Sequence, residues 1–176
     1  MGLFGKLFEK KECAICGGEI GLLGNRKLED GNMCKACAAK LSPWFDERRH
    51  STVAQIEEQL EYRESNKENV AAFRTTLSLG ETAKVLLDEY VGRFMVTSAR
   101  NYSEANPDVL ELSDITGCTY DIDEGIDEVT RFDENNEAVS YDPPRFTHSY
   151  NFYVTVYVNN PYFDDMRFKV NSRTVE

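Results

Sequence analysis

The chain has 176 residues, 41% of them hydrophobic and 11% aromatic, which is enough to bury a core and excludes global disorder. Mean hydropathy is -0.51, no apolar run nears the roughly 18 residues of a membrane span, and Lys6 interrupts the apolar N-terminus where a secretory leader would continue. Residues 1–50 carry nine Lys/Arg and seven Asp/Glu, against eleven and twenty-four in 51–176, so any contact with phosphate backbones or anionic lipid falls to the first fifty residues.

These features predict a soluble, cytoplasmic protein in three stretches: a cysteine-rich module at 1–41, a helical connector at 42–76 and a β domain at 77–176. At the start, Leu3, Phe4, Leu7 and Phe8 share one helical face beside Lys6, Lys10 and Lys11. Residues 1–11 could lie on a membrane surface, but so short a segment buries little area, and packing on the module or on a partner protein is the simpler reading. Lys6 also stands where a myristoylation signal requires Ser or Thr.

Cys13-Ala-Ile-Cys16 and Cys34-Lys-Ala-Cys37 are two CxxC pairs with 17 residues between them, the spacing of a four-cysteine zinc site. Two intervening residues let both sulfurs of a pair reach one ion, and the long arm lets the pairs meet. Gly17-Gly18 allows the chain to turn its amides sharply toward the thiolates. Between the pairs, Ile20, Leu22 or Leu23, and Leu28 alternate with glycines and predict a hairpin closing at Asp30-Gly31. Lys35–Leu41 then reads as a short helix carrying the second pair, an order of knuckle, hairpin and ligand-bearing helix that is the treble-clef arrangement. Four protein thiolates leave no position for an activated water, so the expected Zn²⁺ is structural, one ion held by Cys13, Cys16, Cys34 and Cys37. Its formal charge with four thiolates is −2, which Lys11, Arg26, Lys27, Lys35 and Lys40 can offset. Iron on the same cysteines is the rival metal; disulfides and a redox CxxC lack the export signal and the βαβ pattern they would need.

Ser42-Pro43 punctuates the chain after the module. Thr52 with Gln55, and again Ser65 with Glu68, read as capping boxes that open two short helices separated by a break near Arg63–Asn66. From residue 77 the pattern is that of short strands: Lys84–Leu87, Arg93–Ala99, Val109–Leu112, Ile115–Ile122, a Glu128–Phe132 and Ala138–Tyr141 hairpin around Asp133–Glu137, then Tyr150–Val158 and Met166–Val170. A sheet of this size closes into a barrel or sandwich to hide its edges. Cys118 reads as a small buried hydrophobe, and His50 and His148 as surface or loop histidines without ligand spacing. Asp121–Glu128 fails the EF-hand template and reads as a solvated acidic hairpin. No P-loop, nucleophile elbow, GxGxxG or HExxH is present, and no catalytic residue is assigned.

Taken together, Met1–Phe8, Cys13–Gly17, Gly21–Asn25, the Cys34–Cys37 pair, Ser42–Phe45, Tyr62–Asn66, Ser140-Tyr141, and Tyr150–Val154 running into Asn159–Phe163 carry a resemblance. The chain resembles small bacterial proteins of unknown function that join an N-terminal four-cysteine zinc finger to a PH-like β domain. The resemblance implies an α+β, mostly β architecture, zinc on the four cysteines and a non-enzymatic role. A PH-like fold closes one mouth with a C-terminal helix, and none is visible before Glu176. The expected function is a non-enzymatic adaptor or regulatory protein that binds protein, with Trp44-Phe45 and a Tyr153/Tyr157 face as contacts, core packing being the simpler reading of Trp44. Nucleic-acid binding through Arg26, Lys27, Lys35, Arg48 and Arg49 is the alternative, beside membrane attachment through residues 1–11.

Overall fold

The computed structural model describes residues 11–176, mostly β-strand with few helices. The chain divides into two compact units. One runs to Arg74 and adds Ala99–Leu110 and Asn160–Asp164; the other comprises Thr75–Ser98, Glu111–Asn159 and Asp165–Glu176.

In the first unit β1 (Lys11–Glu12) pairs with β2 (Glu19–Ile20), and β3 (Asn25–Lys27) with β4 (Asn32–Cys34), both antiparallel. The β3–β4 turn closes where Leu28 N donates to Gly31 O at 2.9 Å, at the predicted Asp30-Gly31. Leu22 and Leu23 do not join the hairpin; they occupy the preceding turn and are 87% and 89% exposed. Helix α1 (Lys35–Ala38) follows β4 directly, and a 3-10 turn at Glu47–His50 leads into α2 (Val53–Ala72). The buried core is small: Cys13, Ile20, Leu28, Met33, Cys37, Leu41 and Ile56. Because Ile56 lies on α2, the start of that helix is part of this core. Asp30 fixes it further, its Oδ1 accepting from Val53 N at 2.8 Å.

Helix α2 begins as predicted, with Thr52 and Gln55 forming a reciprocal capping box. The expected break near Arg63–Asn66 is absent. Ser65 caps nothing and donates instead to Tyr62 O within the helix. The buried residues of α2 are Ile56, Gln59, Arg63, Asn66 and Val70, a regular alternation of three and four that marks one face of a single helix. Its middle third is polar because it faces backbone carbonyls and polar side chains rather than apolar ones. The unit's short α3 (Tyr102–Ala105) leads into Asn106–Asp108, which supplies these partners. Arg63 Nη1 pairs with Asp108 Oδ1 at 2.6 Å while its other amino group donates to Asn106 O. Asn66 Nδ2 donates to Asn106 Oδ1 and Pro107 O at 2.9 and 2.8 Å. Ser42 Oγ donates to the second Asp108 oxygen at 2.8 Å. Burial raises the Asp108 carboxyl above its usual range against the pull of Arg63 and Ser42.

The second unit contains β5 (Leu77–Leu79), β6 (Lys84–Asp88) and β7 (Arg93–Thr97) as an antiparallel meander. After β8 (Val109–Glu111) come β9 (Ile115–Phe132), β10 (Ala138–Val158) and β11 (Asp165–Lys169), in the order β11-β10-β9. Two of these strands are far longer than predicted. The separate segments Ile115–Ile122 and Glu128–Phe132 are one strand, as are Ala138–Tyr141 and Tyr150–Val158. Pro143 and Pro144 do not end β10; a register shift between Ser140 and Arg145 carries them. The hairpin turns at Asp133–Glu137, where Asp133 Oδ1 accepts from Asn135 N and Glu137 N at 2.8 and 2.9 Å. Among the described residues neither sheet closes on itself, so a closed barrel is not shown.

Two substitutions probe the polar face of α2, read by chemical denaturation with the single Trp44 as reporter in the same unit. Arg63→Ala leaves the buried Asp108 unpaired and is expected to destabilise the unit by ~3–5 kcal/mol. Gln59 is fully buried and its amide has no hydrogen-bond partner, so Gln59→Leu is expected to raise stability by ~1–3 kcal/mol. A midpoint unchanged in both proteins would contradict this reading of the helix.

Candidate metal centre

Cys13 and Cys16 sit in the tight turn between β1 and β2, and three hydrogen bonds set its shape. Cys13 N donates to Gly18 O and Gly17 N to Cys13 O, each at 2.8 Å, while Ala14 N donates to Asn32 O at 2.8 Å. The turn requires Gly17 at φ +68°, left-handed backbone that other residues adopt at a cost of ~1–2 kcal/mol. Cys34 ends β4 and caps α1, its Sγ accepting from Cys37 N at 3.3 Å. Cys34 N in turn donates to Cys13 Sγ at 3.2 Å, so the two halves of the site are hydrogen-bonded to each other. One sulfur from each cysteine lies within 4.8 Å of all the others, and Cys16 Sγ and Cys34 Sγ are 3.9 Å apart. Bonds of ~2.3 Å from four sulfurs to one tetrahedral ion place the sulfurs ~3.8 Å apart, so the set fits a metal. Cys13 and Cys37 are buried and Cys16 is exposed, which puts the centre at the module's surface.

The electrostatics of the four thiols are unequal. Burial pushes Cys13 up, but the amides of Cys34, Cys16 and Ile15 outweigh it and bring it down to about 6. Burial, and then the sulfurs of Cys34, Cys16 and Cys13, push Cys37 up to about 12. One thiolate is thus favoured by the amides, and its charge discourages the next from ionising. A bound cation reverses that relation and lets all four carry charge.

The remaining candidates fall elsewhere. Residues 1–10 lie outside the described part of the chain. Cys118 is exposed on β9 rather than buried, and joins no cluster of ligand atoms. His50 is exposed at the end of its 3-10 turn. His148 is a surface histidine as expected, exposed on β10, and its Nδ1 is 2.7 Å from Glu124 Oε1. Asp121–Glu128 is the middle of β9 rather than a hairpin, and its side chains alternate between two faces instead of converging. Phe45 packs against the module core, and Trp44 is half-buried beside it in the chain. Tyr157 is exposed, whereas Tyr153 is half-buried under the Arg167 guanidinium, 4.1 Å from its ring. Arg63, Asn66 and Asp108 carry no motif; only the three-and-four spacing of α2 could have marked the first two.

The arrangement is that of a four-cysteine metal-binding module. Its sequence matches a domain of unknown function, DUF4428, over residues 11–59, which takes in both cysteine pairs and the first turns of α2. No curated protein and no solved structure matches the chain.

Metal affinity is expected to rise with pH. Without metal Cys37 keeps its proton throughout the neutral range, and binding must expel it. Competitive metal titration at stepped pH measures this, and an affinity independent of pH would contradict four-thiolate ligation.

Proposed function

We propose that this chain is a non-enzymatic adaptor whose cysteine module is held by one structural Zn²⁺ and binds other proteins. The observation that carries this reading is the convergence of the four sulfurs, which fill a tetrahedral ion's coordination. Cys13, Cys16, Cys34 and Cys37 would hold the ion, and its contribution is to neutralise and cross-link them. The paired CxxC spacing supports zinc, while iron accepts the same tetrahedral set of four thiolates. The order of knuckle, β3–β4 hairpin and α1 supports the treble-clef reading. The mostly β second unit is read as a PH-like interaction domain. Among the described residues no helix is long and apolar enough to cross a membrane, which accords with a cytoplasmic adaptor. Exposed Leu22 and Leu23, adjacent on one turn of the module, supply an apolar contact of the kind that protein partners cover.

Elemental analysis of the purified protein is expected to give one zinc per chain, and chelation is expected to unfold the module, whose core is too small to persist alone. Affinity capture from the host lysate is then compared between the zinc-loaded protein and the Cys34→Ser/Cys37→Ser double variant. A defined protein partner lost from the variant is the expected result. Iron in place of zinc would overturn the metal assignment, and capture unaffected by the substitutions would overturn the adaptor reading.

A further inference from the structure

Beside the cysteine centre the first unit has an open cavity of about 340 Å³. Leu41, Phe45 and Ala38 give it an apolar floor, and Arg26 from β3, Lys35 from α1 and Arg48 from the 3-10 turn contribute three cationic side chains. Among the described residues no carboxylate pairs with any of the three. Arg48 Nη1 donates to Lys27 O at 2.6 Å, and Arg26 Nη1 donates to Asn25 O at 3.2 Å; main-chain carbonyls orient these guanidinium groups without neutralising them. Arg48 loses proton affinity through burial and then through the charges of Arg49 and Arg26, so the cations repel one another.

A second cavity in the same unit, of about 390 Å³, shows the contrast. Its Arg63 is paired with Asp108 and its Lys67 with Glu64, each at 2.6 Å. Two of the three cations lining the second cavity, Arg63 and Lys67 but not Lys40, have an acid partner among the described residues, whereas none of the three around the first cavity does. A metal–thiolate centre nearby would offset part of the charge, but without a hydrogen bond to it the remaining directed N–H groups of these guanidinium groups stay unsatisfied.

We infer that this cavity is a binding site for an acidic peptide segment, taking a carboxylate against Arg26, Lys35 and Arg48 and an adjacent apolar side chain against Leu41 and Phe45. A carboxylate satisfies the planar donors of arginine and relieves the mutual repulsion of the cations. The apolar floor sits under the stem of such a residue or its neighbour. A polyphosphate chain has no use for that floor, and the acid excess of residues 51–176 opposes a multiply charged ligand more than a single carboxylate. The inference names the partner chemistry of the proposed adaptor and rests on that reading. The two remain separable: loss of peptide binding with lysate capture intact sinks the cavity alone.

The test uses the isotope-labelled, zinc-loaded full chain, observed by amide and arginine side-chain NMR at fixed ionic strength. The probes are the N-acetylated amide of Leu-Glu-Leu, its neutral Leu-Gln-Leu twin and a short oligothymidine. Saturable shifts at Ala38, Ala39, Leu41 and the Arg26 and Arg48 side chains are expected with the Glu peptide. The Gln twin is expected to bind about tenfold more weakly, as are Arg26→Gln and Lys35→Gln proteins with the Glu peptide. Lys35 is exposed, so Lys35→Gln leaves the fold intact, and its unshifted resonances elsewhere verify that. No shift, equal binding of the twin, or undiminished binding by Lys35→Gln and Arg26→Gln would overturn the inference. Tighter binding of oligothymidine at the same amides would overturn it in favour of a phosphate site.

Discussion

Four sulfurs drawn within 4.8 Å of one another are the constraint on which the first unit depends. Two of the seven residues in its small core are themselves cysteines of the site, so the packing and the metal centre are one structure. The β-pairs on either side are two or three residues long, and α1 is four. Elements this short fall well below the length at which isolated hairpins or helices hold together in water. What joins them is the hydrogen-bonded cross-link from Cys34 to Cys13 and, once loaded, the ion itself. The extent of the DUF4428 match makes physical sense in this light. It stops at Gln59, just beyond Ile56, the last fully buried residue of this core, with Leu60 packing on its margin.

Beyond Ile56 helix α2 changes the kind of surface it buries. Gln59, Arg63 and Asn66 continue the inward stripe, and Arg63 and Asn66 meet carbonyls and the Asp108 carboxylate where a core would offer methyl groups. A buried ion pair of this sort adds little net stability, because desolvation consumes most of the Coulombic gain. Its value lies in register. Sliding α2 by one turn would strand a guanidinium and a carboxylate in the interior. Tyr62 adds to the same alignment, its ring 5.0 Å from that of Tyr162 and its hydroxyl accepting from Asn160 Nδ2 at 3.2 Å. The unit therefore uses apolar burial at the start of the helix and directional polar contacts further along it.

This change of surface also explains what was legible in the sequence. The cysteine pairs, the Leu28–Gly31 turn, the Thr52 cap and the Asp133–Glu137 turn were readable because each depends on residues close together in the chain. In helix α2 the Ser65–Glu68 pair has the spacing of a cap and predicts a second helix, but Ser65 bonds within the helix and the buried stripe runs on through polar Arg63 and Asn66. Asp108 carried no local signal at all; its partners Arg63 and Ser42 lie 45 and 66 residues away. The long strands were divided wherever charge or proline interrupted the alternation. In β9 and β10 most side chains remain in water on both faces, so alternation of burial, the signal that periodicity detects, is largely missing.

Exposure on that scale raises a problem that the acid excess answers. With the order β11-β10-β9, strand β9 lies at the sheet edge for 18 residues, the kind of flat edge on which a second chain can pair. Along one face, Tyr120, Ile122 and Ile126 are exposed, but Glu124 and Glu128 interrupt them. The other face presents Asp121, Asp123 and Asp127. Pairing two copies along β9 would align carboxylates at close spacing, and the repulsion opposes both hydrogen-bonding of the edges and stacking of the apolar face. Placed here, acidic residues oppose edge-to-edge pairing along a long unclosed strand. The contrast with the cationic cavity of the first unit is one of sign: carboxylates line this strand, whereas Arg26, Lys35 and Arg48 line that cavity.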